Sequence, residues 1–597
     1  MVRGKSLAGA PGPSVDQRPL RRGRARRPFG PLAALGLIGL SSGSPLLAQI
    51  TPSQSLQQRL QEDQLRLRLL ELEDDDAVDD SAPLIQGAPQ GPLTWSGSLE
   101  LRRLELQGTL PEIEALEQSL QGWIGRRIEA EQLREIQRAI EAWFWQRDQV
   151  VGIHRIAADP EQGVLTLAIA PLTLAAVTVD PSNAHQFNEA RAIGFVTAAV
   201  PLGTALRPGK LESALLKLND LWGVQVRGRL QSGADADTRI LVLELADLKR
   251  QSVLLEVDND LNRYVGTVRT LATWSSANNL GRGERFWLNP SWWGSGQGTG
   301  TAPLQWGLDW PVGLDGLLFS ASANAGRYRL VNTGEVLYTG ETGGVSLSLQ
   351  QPLWRRDARS LWLRLSTEGF HFRDERNRLN LDDKQGGVLR GSLVGTSSDQ
   401  FWGQGNTTLV LGGSFGSINL NGNSTFKQFD QFTTRLQGDY GALNLSLLRQ
   451  QVFSENWSAS WLLLGQMAAT NLSGYEQCGL GWPNGVRAYP PGENSSSSCL
   501  VSQLDLIWRW KPWLKLVGFA DVGWGERWRQ PFRGSLQPNT YSLAGAGVGI
   551  DLGRVSRWLV SLRAAFPIGG NPAQSSLIDL EASSPSPRLW AALQLWL

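Results

Sequence analysis

From residue 250 to the last residue, apolar and polar side chains alternate in short runs broken by Gly, Asn, Asp and Ser. In Leu361-Trp362-Leu363-Arg364-Leu365-Ser366 the leucines share one face, and Trp, Arg and Ser share the other. Between Trp558 and Phe566, one face carries Trp558, Val560, Leu562, Ala564 and Phe566, while Ser561 and Arg563 point the other way. The final segment keeps the pattern, with Leu589, Ala591, Leu593, Leu595 and Leu597 on one side. A period of two belongs to β-strands. Strands of about ten residues with one apolar face are the mark of a barrel that meets lipid. A soluble sandwich or propeller shares the period, so the choice between them needs further signals.

The N-terminal half has a different rhythm. Residues 53–73, with Leu56, Leu60, Leu65, Leu67, Leu69, Leu70 and Leu72 among Gln, Glu and Arg, predict one amphipathic helix. An acidic run from Glu73 to Asp80 follows, and then Pro83, Gly87, Pro89, Gly91 and Pro92, the composition of a linker. From Leu93 the pattern predicts a β-α-α-β-β unit. Leu99, Leu101, Leu104 and Leu106 mark a strand, Glu112–Ile124 and Glu129–Gln146 two helices, and Val150–Ile156 and Val164–Ala170 two strands. The order repeats after Pro171: strand Leu174–Val179, helices near Asn188–Val200 and Leu211–Leu221, strands Val224–Leu230 and Ile240–Leu245. Two copies of one unit therefore stand side by side.

Composition separates the membrane barrel from the soluble alternatives. Of 25 tryptophans, 20 lie after residue 250, and Trp concentrates where an apolar ring and a wet N–H are both satisfied, at membrane–water interfaces. At the front, Arg21, Arg22, Arg24, Arg26 and Arg27 precede the short apolar run Leu32–Leu40 and then Ala48. A basic stretch, a short apolar core and a small residue at the cut describe an export signal, and the run is shorter than the roughly 20 apolar residues of a spanning helix. Without such a helix, a lipid-embedded chain must be a closed barrel, since every backbone group has to be paired in lipid. Lys+Arg 57 against Asp+Glu 56 leaves a net charge of +1, which gives no field for a nucleic acid.

Three stretches together resemble the two-partner secretion transporters, the TpsB or hemolysin secretion/activation protein family. Leu218-Asn219-Asp220-Leu221-Trp222-Gly223-Val224-Gln225-Val226 looks like the helix-to-strand turn of that family's second POTRA domain. Pro483-Asn484-Gly485-Val486-Arg487-Ala488-Tyr489-Pro490-Pro491-Gly492-Glu493 resembles the VRGY-type motif of its long sixth extracellular loop. Phe519-Ala520-Asp521-Val522-Gly523 matches its F-x-D-x-G strand motif. There are two departures from the pattern. Ala488 stands where the motif often has Gly, and Leu597 stands, next to Trp596, where many outer-membrane barrels have an aromatic.

The resemblance implies a transmembrane β-barrel of 16 antiparallel strands, two N-terminal α+β POTRA domains in the periplasm and an N-terminal plug helix. The 347 residues from 251 to 597 allot each strand about 22 residues with its share of turns. The expected organisation is a signal peptide at 1–48, plug helix and linker at 49–92, POTRA domains at 93–172 and 173–249, and the barrel at 250–597. The implied function is export of a secreted TpsA-like exoprotein, of adhesin or cytolysin type, through the outer membrane and in contact with its lipid. A barrel-assembly protein of the same superfamily and a diffusion porin are the alternatives.

Alternation places Phe519, Asp521 and Gly523 on the inward face of their strand and Ala520, Val522 and Trp524 on the lipid face. If the Gly/Pro-rich loop carrying Gly485, Val486, Arg487, Ala488 and Tyr489 folds inward, a guanidinium meets the Asp521 carboxylate in a partly wet pore; otherwise these are two unrelated charges. Such a pair should contribute more than the roughly 0–1 kcal/mol of an exposed one and less than the ~3–5 kcal/mol lost on breaking a dry one. Cys478 and Cys499, the only two cysteines, bracket the same loop; in an exported chain they invite a disulfide, with two free thiols as the alternative. The strand edge bearing Val224, Val226 and Leu230 is a candidate for client binding by strand addition, or else a mere scaffold.

Enzyme chemistry finds no convincing footing. His154, His185 and His371 are scattered and have no metal-ligand spacing. Asp382 and Asp383, near Arg376 and Lys384, read as a solvated turn rather than a catalytic dyad. Gly545-Ala546-Gly547-Val548-Gly549 lacks the Lys-Ser/Thr of a phosphate loop and suits a crowded strand. No cofactor or metal is expected.

Overall fold

The computed structural model describes residues 84–86, 95 and 97–597, apart from 109, 111, 262–265, 295–299, 333–334, 377–378, 536, 555 and 573–585. The export signal, the 53–73 helix and most of the linker lie outside the described residues.

Helical periodicity becomes helix where it is amphipathic and capped. Ala130–Trp145 buries Leu133, Ile136, Ile140 and Phe144 at the spacing of one helix face, and a capping box between Glu129 and Gln132 closes its start. That face lies on a three-stranded sheet. Val164–Pro171 runs in the centre, Arg103–Gln107 pairs parallel to it, and Val151–Asp159 pairs antiparallel. The single strand expected over Leu99–Leu106 is broken into Leu99–Glu100, which pairs with Arg127–Ile128, and Arg103–Gln107. The Gly163 carbonyl takes the amides of Arg102 and Arg103 at the break.

The second module repeats the plan. Helices Glu189–Ala199 and Pro208–Asn219 cover a sheet ordered Ile85–Gln86, Val224–Ser232, Thr238–Asp247, Thr173–Val179. Asn188 caps the first helix by accepting from the Arg191 amide, and Pro208 opens the second. The linker residues Ile85 and Gln86 thus belong to this sheet as its outermost strand.

Sixteen antiparallel strands then close a barrel, with Gln251–Asp258 pairing on Arg588–Trp596. Alternation is preserved along the wall. Val345, Leu347 and Leu349 face out, as do Leu389 and Leu393, whereas Thr342, Val388 and Phe372 face in. Val522 and Trp524 also face out, whereas Asp521 between Ala520 and Val522 is buried. The strands are less uniform than the expected ten residues. They run from 8 in Gln251–Asp258 to 21 in Glu335–Arg355 and Leu379–Asp399. Only about ten residues fit the hydrocarbon layer, and the surplus continues as paired sheet with a polar outer face bearing Arg327, Glu341 and Arg373.

This extension corrects the reading of Asp382 and Asp383 as a solvated turn. Both lie inside Leu379–Asp399. Asp382 points inward and pairs with Lys384, each only 3% exposed, while Asp383 faces out and meets His371 at 3.0 Å. Gly386 and Gly387 interrupt the apolar alternation there, which hid the strand's continuity in the sequence.

Candidate functional site: a loop clasped inside the barrel

The segment between strands Trp457–Ala468 and Ser498–Lys511 turns into the lumen. Leu480, Val486, Ala488 and Tyr489 join Val501, Val517, Phe519, Tyr541 and Leu543 of the wall in one buried cluster. The loop reverses tightly. The Val486 amide donates to the Leu480 carbonyl at 2.7 Å, and the Trp482 amide donates to the Tyr489 carbonyl at 3.1 Å. A Cβ on Gly485 would lie 2.2 Å from the Leu480 carbonyl oxygen, so the reversal needs Gly there.

At the tip, Arg487 touches three strands. Its amide donates to Asp521 Oδ2 at 2.9 Å, its Nε donates to the same oxygen at 2.9 Å, and its Nη2 donates to Asp505 at 2.6 Å. The guanidinium stacks 3.9 Å over the Phe519 ring, and the Arg487 carbonyl accepts from the Trp590 indole at 2.7 Å. Arg487 is 3% exposed and Asp521 1%. The pair is therefore drier than the partly wet pore expected from the sequence, which moves it toward the upper end of the energy range given above.

Glycines on the wall make room for the loop. A Cβ on Gly523 would stand 3.3 Å from Val486 Cγ2, and one on Gly545 would stand 2.8 Å from Ala488 Cβ. Ala488, the departure from the family pattern, thus faces a wall position with no side chain.

Cys478 and Cys499 form a disulfide with Cα atoms 6.4 Å apart. Beside it, Cys478 and Ser496 exchange backbone hydrogen bonds of 2.9 and 2.8 Å. The loop neck is thus closed both covalently and by a short bridge.

A second clasp holds the loop near its base, and sequence reasoning missed it. Arg390, on the inner face of Leu379–Asp399, pairs with Glu476 of the loop and with Glu368 of the neighbouring strand at 3.0 Å. The Tyr440 hydroxyl also donates to Glu476, at 3.2 Å. Tyr475 beside it packs on Phe370, with ring centroids 4.7 Å apart. A signal did exist: Leu389 and Leu393 face lipid, which puts Arg390 inside. Its partner, 86 residues away in sequence, was not legible.

The remaining motif lies where the second module meets the barrel mouth. Asn219 closes the helix-to-strand turn, its side chain accepting from and donating to Val226 at 2.6 and 2.9 Å. Trp222 lies under the Arg285 guanidinium at 3.5 Å. Gly223, at φ 73°, sits where a Cβ would come 2.9 Å from Asn278 Cβ of the barrel turn. Asp220 takes Arg355 at 2.7 Å, and Glu212 takes the Asp357 amide at 3.1 Å. Val224, Val226 and Leu230 do not sit with these groups. They are 1%, 0% and 3% exposed and point into the module core. At this edge a partner therefore finds main chain, not those side chains.

Residues 237–552 match the family described as haemolysin secretion/activation protein ShlB/FhaC/HecB. Among curated proteins, the heme/hemopexin transporter protein HuxB of Haemophilus influenzae strain Rd is 25% identical over 382 residues, 61% of this chain and 64% of the relative. HuxB of strain 86-028NP is 24% identical over 380 residues, again 61% and 64%. The match thus spans somewhat less than two thirds of these relatives' length. Among solved structures, CdiB from Escherichia coli superposes with a TM-score of 0.67 at 16% identity, covering 92% of this chain and 100% of that one. CdiB from Acinetobacter baumannii gives 0.62 at 15%, covering 92% and 98%. At these identities the two structures speak to the fold alone.

Proposed function

As this chain belongs to the haemolysin secretion/activation protein ShlB/FhaC/HecB family, a family of secretion transporters rather than enzymes, we propose that it exports a protein client through the outer membrane. The two α+β modules, read as POTRA domains, lie on the periplasmic side and receive the client. The client then crosses the barrel unfolded and folds outside, and this folding biases the movement outward. The client is a TpsA-like exoprotein of adhesin or cytolysin class.

The observation that supports this reading most is the loop pinned to the inner wall of the barrel by Arg487 and Asp521. A passive pore has no need of a disulfide-necked inner loop held by buried charges. A channel that must stay shut until a client arrives does, and the clasp can open by exchanging ion pairs for water. Gly485, Val486, Ala488 and Tyr489 shape the tip, and Phe519 and Gly523 shape its seat.

Deleting the gene and comparing surface and culture-medium proteins tests the reading. One large exported protein should vanish from outside, return with the wild-type gene and return poorly with Arg487→Ala. A general fall in other outer-membrane barrels with unchanged export would favour the assembly alternative. A loss of small-solute uptake alone would favour a porin.

A further inference from the structure

The second module touches the barrel at the turns holding Asn278 and Asp357, so the connections at the other end of the strands face away from it. Three of these meet above the base of the inner loop. One is 420–437, which follows strand Gln404–Asn419 and carries the helix Ser424–Phe432. The second is the inner loop itself, and the third is 527–539, after strand Leu514–Glu526. The helix turns Phe426 into a buried cluster with Phe370, Phe372 and Val388 of the wall and Leu472 and Tyr475 of the inner loop. Asn423 holds the helix start, accepting from the Phe426 amide and donating to the Asn380 carbonyl of the wall, both at 2.9 Å. Asp430 holds its exit by accepting from the Leu436 and Gln437 amides at 2.8 and 2.9 Å. This segment is therefore a stiff piece resting on the inner loop.

Asn471 of the inner loop, 4% exposed, joins all three. Its Nδ2 donates to the Thr434 carbonyl at 2.9 Å and to the Gln530 carbonyl at 3.0 Å, and its Oδ1 accepts from the Gln530 amide at 2.8 Å. The two N–H groups of one amide thus reach two different neighbours. At the other end of the inner loop, Ser497 donates to the Arg527 carbonyl at 2.8 Å, which gives 527–539 a second attachment. The apolar cluster also holds 420–437 on the inner loop, but such contact is non-directional and lets surfaces slide. The hydrogen bond from Asn471 fixes the position.

We propose that Asn471 is a positioning residue for export: it makes the three segments one cap, so that the outer mouth opens in a single movement when the inner loop withdraws. The proposal rests on the reading that a client leaves through the lumen, and it adds what must move with the loop. Without Asn471, the segment 420–437 stays behind over the mouth while the inner loop moves, and 527–539 still follows through Ser497.

Hydrogen–deuterium exchange of the full chain in detergent, read on peptides from 420–437 and 527–539, tests the coupling. Releasing both clasps with Arg487→Ala and Arg390→Ala should speed exchange in both segments about ten-fold or more. In an Asn471→Ser background the same release should leave exchange in 420–437 unchanged and still speed it in 527–539. Acceleration of 420–437 by the same factor in both backgrounds would overturn the proposal, as would no acceleration with Asn471 in place. Should the clasp variants fail to fold, single-channel recording on Asn471→Ser decides. The wild type should open to one level and the variant through an intermediate level, and identical level patterns would overturn the coupling. In cells, Asn471→Ser should export less at an unchanged amount in the outer membrane. If deleting the gene leaves export untouched, the transport reading itself fails, while the exchange and channel results still decide the coupling.

Discussion

The two clasps on the lumen loop have opposite polarity. At the tip the loop supplies the cation, Arg487, and the wall supplies two acids, Asp521 and Asp505. At the base the wall supplies the cation, Arg390, and the loop supplies one acid, Glu476, beside a second acid, Glu368, on the wall. A loop that slid so that its tip met the base site would place Arg487 against Arg390, and like charges out of water repel strongly. Opposed signs therefore fix the loop's register as well as its adhesion. They differ in dryness too: Arg487 is 4% exposed at its side chain and Arg390 28%. The Arg487–Asp521 joint at the tip is nearly dry, whereas at the base the cation is part-exposed over acids, Glu368 and Glu476, that are 9% exposed.

Breaking the tip should have the largest effect. Arg487→Ala strands Asp521 in a buried site and should cost about 3–5 kcal/mol of loop docking, seen as a lower unfolding temperature in detergent and a larger single-channel conductance. Asp521→Ala should do the same, and the double variant should cost clearly less than the sum. Fully additive losses would mean that the two residues do not act as a pair.

Removing the covalent neck comes next. Cys478→Ser with Cys499→Ser should lose about 3 kcal/mol, the loop-closure value for a ring of this size, in denaturant unfolding under non-reducing conditions. Wild-type conductance in this variant would show that both clasps hold without the neck.

Arg390→Ala should follow at about 1–3 kcal/mol, between the exposed and dry limits, because Tyr440 still donates to Glu476. An effect as large as that of Arg487→Ala would erase the distinction between a buried and a part-exposed cation.

The smallest change is expected from Arg355→Ala, whose partner Asp220 is 35% exposed at its side chain. This ion pair of like chemistry at the module–barrel junction should be worth at most ~1 kcal/mol in a double-mutant cycle. It calibrates the comparison from the wet end.

Alternation made the tip legible. Phe519, Asp521 and Gly523 against Val522 and Trp524 is a period-two statement that survives folding, because a strand in a barrel has only two faces. The helices of the modules were legible for the same kind of reason, as with Leu133, Ile136, Ile140 and Phe144 on one stripe. The base clasp was not, because the contact of Arg390 with Glu476 depends on how deep a long loop descends, which no local period encodes. Asp382 and Lys384 were misplaced because the glycines at 386 and 387 erased the alternation that would have carried the strand through them. The Ile85–Gln86 strand was missed because two residues make no period at all.

Ala488 opposite Gly545 teaches something about reading such motifs. One methyl group fills the gap between loop and wall, and it hangs from the loop, because a Cβ on Gly545 would also crowd Val486 Cγ1 at 3.1 Å and the Phe566 carbonyl oxygen at 3.2 Å. What the joint must keep is its thickness, not the letter at one position. Scored on the loop by itself, this chain looks like a deviant; scored across the gap, the methyl of Ala488 is matched by the bare backbone of Gly545. Ala488→Gly with Gly545→Ala should therefore seat the loop better than Gly545→Ala by itself but less well than the native pair, read as the unfolding temperature in detergent.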